Sequence, residues 1–560
     1  MKTRKIVATA LAALFLLSGL TACQSASAPT TAPSTAAPTA APTDAPTAVP
    51  TTAPATQAPS TQAAAPVTPA TTQEALTPDH PKGGKMTYAL GGMLGGNLFA
   101  PSAQGGVNQA CVWPMLQSLA LQDPSTGEWR YVLAESMDMD VQNVILTVKL
   151  KKGVTFSDGS ELNADVLKWN FDSYLDHEMA HKVSKLQKVE VVDDLTVKMY
   201  FPEYFYDLEK TIAAINIYSK KSYDEMGEDA YKMNPVGTGP YKLQKFALDA
   251  GITYVRNEDY WEGTGNYLDE IEMVIVKDNT TRLTAFLNGE IDNTNSVEEG
   301  TIDRLQEAGF PIAEASNGTM ETLLCTTKGE NNPFSKLEVR QAVMMYALDA
   351  DGITKVTMGK YANPWYQAAG PDCTNYDPTI TEIGYNPEKA KELLTAAGYP
   401  DGFSTTIYCF SSAAKSAEAI QANLQDIGIT ATIEPVQNLA DPRNEGREGL
   451  YLAGHLNRNG LDTSFLVGST LSPEKGSWNA CIDYSEEYAE LTRQYLREAD
   501  TAKRMEIATR LNHMFSVDDC YGRVFGYSPQ FLFGSHRIGG YAESLRFNAY
   551  PIATDIWFEQ

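Results

Sequence analysis

LKKGVTFSDGSELNADVLKWNF, running from Leu150 to Phe171, is the stretch on which the reading of this chain turns. Val144 to Leu150, leading into it, is β-branched and partly alternating, the pattern of a half-buried strand, and Val154 to Phe156 is strand-like again. Asp158-Gly159 then supplies the positive φ angles of a tight turn. After the turn Asn163 is placed to cap a helix in which Leu167, Phe171, Tyr174 and Leu175 recur at i, i+4, i+7 and i+8 as one apolar stripe. Strand, turn and amphipathic helix in succession indicate a mixed α/β fold.

The same alternation continues outward. Asn386-Pro387 is a strong helix start, with Asn as cap and Pro in the first turn, where a missing N–H costs nothing. Ala390, Leu393, Leu394 and Ala397 then face one way, and Gly398 is suited to the left-handed conformation that stops a helix. A second stripe, Val339, Val343, Tyr346 and Ala347, follows Pro333-Phe334. Tyr484 to Phe515 reads as one long helical region, and Tyr521 to Phe533, rich in aromatics and glycine, as strand and turn. No period of 20 to 50 residues repeats, so a solenoid or propeller is not indicated.

At 560 residues and 43% apolar content the chain is long enough for about three or four structural units with sizeable cores. Forty-four basic against 70 acidic side chains leave a formal charge of −26, which repels phosphate backbones and argues against a nucleic-acid partner. The seven cysteines show no paired C-x-x-C spacing, so neither a zinc site nor a dense disulfide framework is signalled. Lys2, Arg4 and Lys5 precede an apolar run from Ile6 to Leu17 that is too short to span a bilayer and reads as a secretory signal, residues 1–23. The run closes on Leu20-Thr21-Ala22-Cys23, which resembles the bacterial lipobox and makes Cys23 the expected lipid-bearing residue. Residues 24–80 form an Ala/Thr/Pro tract with no aromatic, Lys or Arg, unable to bury enough surface to order itself, and are expected to be a linker. The expected location is the outer face of the bacterial cytoplasmic membrane.

Several stretches together resemble the extracytoplasmic solute-binding proteins of ATP-binding-cassette importers, in the dipeptide, oligopeptide and nickel-binding family (family 5). They are LAES (Leu133 to Ser136) with the Leu150 to Phe171 region, NPVGTGPYKL (Asn234 to Leu243), RNEDYW (Arg256 to Trp261), TRLTAFLNGEID (Thr281 to Asp292), LEVRQAVMMYALD (Leu337 to Asp349) and YNPEKAKELLTAAGY (Tyr385 to Tyr399). The resemblance implies a two-lobed α/β clamshell, periplasmic-binding-protein type II-like, with an extra subdomain on the first lobe. Lobe I would take residues 81–120, 234–322 and 525–560, the subdomain 121–233, and lobe II 323–524. It also implies a non-enzymatic role without a cofactor: a solute, most simply a peptide, is caught between the lobes and delivered to a membrane permease with cytoplasmic ATPase subunits. An oligosaccharide or other small solute without a free α-amine is the alternative.

Peptide-binding members of the family neutralise the ligand's α-ammonium with an Asp in a W-x-x-D segment ahead of a phrase like Thr463-Ser464-Phe465-Leu466. In that register Arg458 stands at the Asp and His455 at the Trp, and Arg against an ammonium is an unfavourable like-charge contact. His455, Asn457, Arg458 and Asn459 then form a polar patch suited to a neutral or anionic group, with Asp462 as a substitute acid. Trp113, Trp365, Tyr408 and Phe410 are candidate stacking surfaces.

Two other motifs compete. His177-Glu178-Met179-Ala180-His181 fits the H-E-x-x-H pattern of zinc metalloproteases, but no third ligand follows at the usual spacing, and a solvated continuation of the preceding helix is the simpler expectation. Gly237-Thr238-Gly239-Pro240 lacks the Gly-Lys-Ser/Thr of a phosphate loop and is read as a turn entering a lobe-crossing strand. No metal site is expected, since the remaining histidines, His80, His455, His513 and His536, are scattered.

Overall fold

The computed structural model describes residues 80–559 apart from 93–96, 103–108, 124–126, 178–179, 184, 249, 297, 315–317, 372, 458–469, 475 and 546–549. Cys23 and residues 24–79 of the Ala/Thr/Pro tract lie outside the described residues, whereas His80, at its end, is described.

Four main sheets carry the fold. The first runs Lys85–Leu90, Glu270–Ile275, Gly251–Arg256, Tyr241–Ala247 in space, its first pair parallel and the others antiparallel. The second is antiparallel throughout, in the order Ala134–Asp140, Ile145–Leu150, Thr196–Tyr200, Lys188–Asp193. A three-stranded sheet places Phe531–Gly534 between Asn293–Ser296 and Ile312–Glu314. A mixed five-stranded sheet runs Thr430–Pro435, Ser404–Cys409, Leu450–Asn457, Gly318–Cys325, Gly522–Ser528.

One apolar core is shared by the first two sheets, and the other cores follow from strand alternation. Leu323 and Cys325 point into the core built with the helices of residues 337–426, while Met320 and Leu324 point into an aromatic core on the opposite face. The chain passes from the three-stranded to the five-stranded sheet between Ile312–Glu314 and Gly318–Cys325, and returns between Gly522–Ser528 and Phe531–Gly534. In both sheets the outgoing and returning strands are hydrogen-bonded neighbours, so the two passages run side by side.

The Leu150 to Phe171 stretch folds largely as its residues dictate. The Asn163 side chain accepts from the Val166 N–H at 3.0 Å and starts the Ala164–Leu175 helix, which buries Leu167, Phe171 and Tyr174. Gly159 holds φ at +77°, the left-handed region the turn requires. Val154 to Phe156, however, is not a regular strand. The turn draws Phe156 and Ser160 into a narrow loop, closed by Phe156 N–H donating to Ser160 C=O, which leaves only an isolated bridge between Thr155 and Glu161.

Asp158 is the anchor of that loop. Its carboxylate accepts from the Ser160 N–H (2.9 Å) and from the hydroxyls of Ser160, Ser219 and Ser222 (2.5, 2.5 and 2.6 Å), tying the turn to the Lys220–Met226 helix that Ser219 caps. Burial pushes this carboxyl up, but the serine donors outweigh it and the net shift is downward. A depressed folded value stabilises the protein above the ordinary aspartate range, and that contribution is lost as pH falls through the folded value. Asp158→Asn is therefore expected to melt below the wild type at pH 7, with the gap narrowing on acidification below about pH 4. Thermal melts of both proteins from pH 7 to 3 test this, and a gap independent of pH would contradict it.

Three other expectations are corrected. The stripe after Pro333-Phe334 is helical, but only Leu337–Gln341 is α; Ala342–Ala347 winds as a π-helix. The carbonyls of Met344, Met345 and Tyr346 are claimed by the Arg523 guanidinium (3.2 Å) and by the N–H groups of Gly384 and Asn386, partners outside the helix that favour the wider turn. The region Tyr484 to Phe515 is two helices, Glu486–Arg497 and Thr501–His513. Asp500 interrupts it by capping the N–H groups of Ala502 and Lys503. Gly237 and Gly239 lead into Tyr241–Ala247 of the first sheet, not into either passage between the three- and five-stranded sheets. They press on the backbone of Met115, where a Cβ on Gly237 would lie 2.1 Å from the Met115 carbonyl oxygen.

The Pro387–Ala396 helix meets its expectation in full. Asn386 accepts from the Lys389 N–H, Ala390 and Leu394 are buried, and Gly398 closes it at φ +89°. The six cysteines of the described residues are all free and buried, and burial pushes the Cys111 thiol up to about 11 and Cys325 to about 12.

Candidate functional site

The five-stranded sheet gathers several of the candidate residues at one end. In its register His455, Met320 and Tyr527 stand abreast on three adjacent strands, and Asn457 pairs with Gly318. Cross-strand partners share a face, so the His455 position lies on the face that carries Met320 and the aromatic core. This is the end of the sheet from which both passages to the three-stranded sheet leave. Arg458, Asn459 and Asp462 continue from it and lie outside the described residues, as do the side chains of His455 and Asn457.

Trp365 belongs to the same end. Its ring stacks on Tyr527 at 4.9 Å and 11°, and the Asn363 and Tyr527 backbones exchange hydrogen bonds of 2.8 Å. Tyr527 in turn covers Gly318, where a Cβ would lie 2.3 Å from its ring, so only glycine allows this stack at the start of the strand. Burial, followed by the charge of Glu314, pushes the Tyr527 phenol up to about 12. Tyr408 lies on the same face, 4.8 Å from Tyr451, whose ring meets Trp478 edge-on at 5.1 Å. At 7% and 5% exposure Trp365 and Tyr408 are largely consumed by packing, whereas Phe410, just past the end of Ser404–Cys409, is 39% exposed. Trp113 is placed differently. It packs on Tyr88 in the core of the first two sheets, and its buried indole N–H has no hydrogen-bond partner among the described residues.

Two features escaped the sequence reading. Pairing between Ser404–Cys409 and Leu450–Asn457 stops at Cys409–Leu452, while Gly318–Cys325 follows the latter strand to Asn457. Ala453 to Asn457 thus have one edge that Ser404–Cys409 does not pair. The second is Glu321, the one charged residue in the strand GTMETLLC, and that isolation was the available signal. Its register partners on the two neighbouring strands are both glycines, Gly454 and Gly526. Among the described residues Oε2 is buried without a hydrogen-bond partner, and burial raises the carboxyl above its ordinary value despite a hydrogen bond with the Ser416 side chain.

The described residues of the H-E-x-x-H pattern do not share a helix. The Ala164–Leu175 helix ends before it, Glu178 and Met179 lie outside the described residues, and Ala180–Val183 is a 3₁₀ turn. His177 is not a solvated residue on a continuing helix either. Its Nδ1 is 2.6 Å from the Ser173 carbonyl oxygen, its Nε2 3.5 Å from Glu228, and its ring meets Phe99 edge-on. Among the described residues no group of three or more His, Cys, Asp or Glu side chains is placed to hold a metal ion. His80 stacks on Trp557, His536 on Phe310, and His513 lies 3.3 Å from Asp518.

Residues 128–477 match the family described as bacterial extracellular solute-binding proteins, family 5 middle. The glutathione-binding protein GsiB of Salmonella typhimurium is 30% identical over 329 residues, 57% of this chain and 64% of its own length. The chain thus spans somewhat less than two thirds of the curated relatives it matches. Among solved structures, the substrate-binding protein CtaP of Listeria monocytogenes superposes with a TM-score of 0.71 at 22% identity, covering 86% of this chain and all of its own. DppA of Helicobacter pylori, in complex with the peptide STSA, gives 0.68 at 22%, covering 86% of this chain and 99% of its own. NikA of Brucella suis, in complex with Fe(III)-EDTA, gives 0.72 at 19%, covering 85% and 100%. These likenesses establish a two-lobed α/β clamshell as the fold. With the motif blocks, the sheet order and this fold in agreement, the chain belongs to the bacterial extracellular solute-binding proteins of family 5.

Proposed function

We propose that this chain is the extracytoplasmic substrate-binding lipoprotein of an ATP-binding-cassette importer, that it captures peptides, and that it delivers them unaltered to a membrane permease with cytoplasmic ATPase subunits. Residues 81–120, 234–314 and 531–560 act as lobe I, 121–233 as its subdomain and 318–528 as lobe II, a few residues from the expected bounds of 322 and 525 because Gly318–Cys325 and Gly522–Ser528 each belong whole to the five-stranded sheet. The paired passages between the three- and five-stranded sheets are the hinge. Ligand held by both lobes favours the closed state by its differential affinity for closed over open, and nothing in that cycle requires a bond to break.

The observation that carries the peptide reading is that, among the described residues, no strand pairs the edge of Ala453 to Asn457 that Ser404–Cys409 leaves, beside those passages. An extended peptide adds to such an edge by main-chain hydrogen bonds, with side chains alternating to either face. The peptide bound by the DppA structure and the glutathione named for the curated relatives are both peptide-like, which supports the same class. Cys23 supplies the diacylglycerol anchor, and the tract after it holds the folded part off the membrane.

Thermal shift of the purified protein with di- to hexapeptides, set against maltotriose and related oligosaccharides, tests the proposal. A peptide at about one hundred times its Kd is expected to add about 2.7 kcal/mol of stability. Stabilisation by oligosaccharides and by no peptide would overturn the peptide reading. In cells, Cys23→Ala is expected to abolish incorporation of labelled palmitate and to move the protein into the medium.

A further inference from the structure

Among the described residues no cationic side chain pairs with Glu321. It sits in an otherwise uncharged strand, one oxygen is buried without a partner, and the side chain that bonds it is a serine hydroxyl. Holding a desolvated carboxylate in this way costs stability unless a positive charge meets it. The two neighbouring strands offer no side chain across from it. On one side the space over Gly526 is filled by Met358 and Thr354, since a Cβ there would lie 2.5 Å from the Met358 sulfur and 2.9 Å from Thr354 Oγ1. On the other side Gly454 is exposed, and among the described residues a Cβ would meet Thr319 Cγ2 alone, at 3.2 Å. The open approach to Glu321 therefore runs over Gly454, which lies in the stretch whose outer edge Ser404–Cys409 leaves unpaired.

We propose that Glu321 makes the protein selective for peptides bearing a cationic side chain, an amine or guanidinium that crosses the bare backbone of Gly454 to reach the free carboxylate oxygen. This rests on the reading of the Ala453 to Asn457 edge as the peptide track. A peptide strand on that edge lies two strand spacings from the Gly318–Cys325 strand, about 10 Å. Glutamate extending one way and lysine or arginine the other bridge that distance, and every second peptide side chain points to the face that Glu321 shares. The chain's charge of −26 acts in the same direction by drawing cationic solutes toward it.

Calorimetry on the purified protein with tripeptides tests this. Alanine tripeptides carry lysine, arginine or the uncharged, similarly shaped norleucine at each of the three positions in turn. All share the terminal ammonium, so the comparison isolates the side chain. For at least one position the wild type is expected to bind the basic peptide at least about tenfold more tightly than its norleucine counterpart. That ratio should fall to about one in Glu321→Gln, and also in Gly454→Val, which closes the approach without touching the carboxylate. Equal affinity for basic and norleucine peptides, or a ratio unchanged in both variants, overturns the role of Glu321 and leaves the peptide reading standing. Failure of every tripeptide to bind overturns both.

Discussion

Arg340→Ala is expected to lower the stability of the protein by about 3 to 5 kcal/mol, read as a shift in the denaturation midpoint. Arg340 is 8% exposed, and among the described residues no carboxylate forms an ion pair with it. It is a clamp on backbone. Nε donates to the Asp519 carbonyl at 2.7 Å, and Nη1 donates to those of Phe334 and Ser335 at 2.9 and 3.0 Å. One side chain thus ties the turn that opens the Leu337–Gln341 helix to the turn that follows the Met514–Asp518 π-helix, while its guanidinium lies 6.0 Å from the Tyr521 ring. Alanine leaves carbonyls at both turns without their donor, and the cost of such orphaned groups exceeds the net worth of the bonds when formed. Arg340→Lys should recover only part of the loss, because an ammonium cannot serve two segments through a rigid fork. The exposed Arg493, paired with Glu490 one helical turn away, provides the contrast: Arg493→Ala should shift the midpoint by no more than about 0.5 kcal/mol. Equal midpoints for Arg340→Ala and the wild type would dispose of the clamp.

Asp292→Ala is expected to cost about as much, roughly 3 to 5 kcal/mol, through a buried charge network. The Asp292 side chain is fully buried while its partner Arg537 is 45% exposed. One carboxylate oxygen accepts the Thr87 N–H at 2.8 Å; the other accepts the Ser535 hydroxyl at 2.6 Å and the Arg537 Nε and Nη2 at 3.1 and 2.7 Å. Three stretches far apart in the chain therefore meet on one carboxylate: the Lys85–Leu90 strand, the residue before Asn293–Ser296, and the segment after Phe531–Gly534. Removing the acid strands a backbone donor, a buried hydroxyl and a guanidinium together. Removing Arg537 should cost less, because Thr87 and Ser535 keep their acceptor and the guanidinium is half in water. Urea denaturation of Asp292→Ala and Arg537→Ala measures the difference, and a larger loss for Arg537→Ala would reverse the assignment.

Both residues stood in motif blocks, Asp292 closing TRLTAFLNGEID and Arg340 within LEVRQAVMMYALD, yet nothing in those blocks announced what they do. Local features were legible wherever a short-range rule suffices. Asn163 and Asn386 cap helices because a cap needs only an acceptor three residues ahead of an N–H, and Gly159 and Gly398 turn because they lack a Cβ. Apolar periodicity runs through Asp500 and predicts one long helix over Tyr484 to Phe515, but the Asp500 carboxylate takes the N–H groups of a new helix start. The π-helix at Ala342–Ala347 was not legible at all, since the partners that claim its carbonyls come from Arg523, Gly384 and Asn386.

The candidate site divides in the same way. Trp365, Tyr408 and the strand holding His455 and Asn457 were picked out by residue type and by a register of motifs, and the sheet brings their positions to one face. Glu321 and the edge of Ala453 to Asn457 that Ser404–Cys409 leaves unpaired were not legible in the sequence. An unpaired edge is a property of where a neighbouring strand stops, and a carboxylate is desolvated only by what packs over it. Sequence alone therefore determined the class of fold, its capped and stopped helices, and the family, because these depend on residue type and spacing along one chain. The clamps at Arg340 and Asp292, the winding of residues 342–347 and the open approach to Glu321 were decided only in three dimensions, because each depends on groups that become neighbours when distant strands pair.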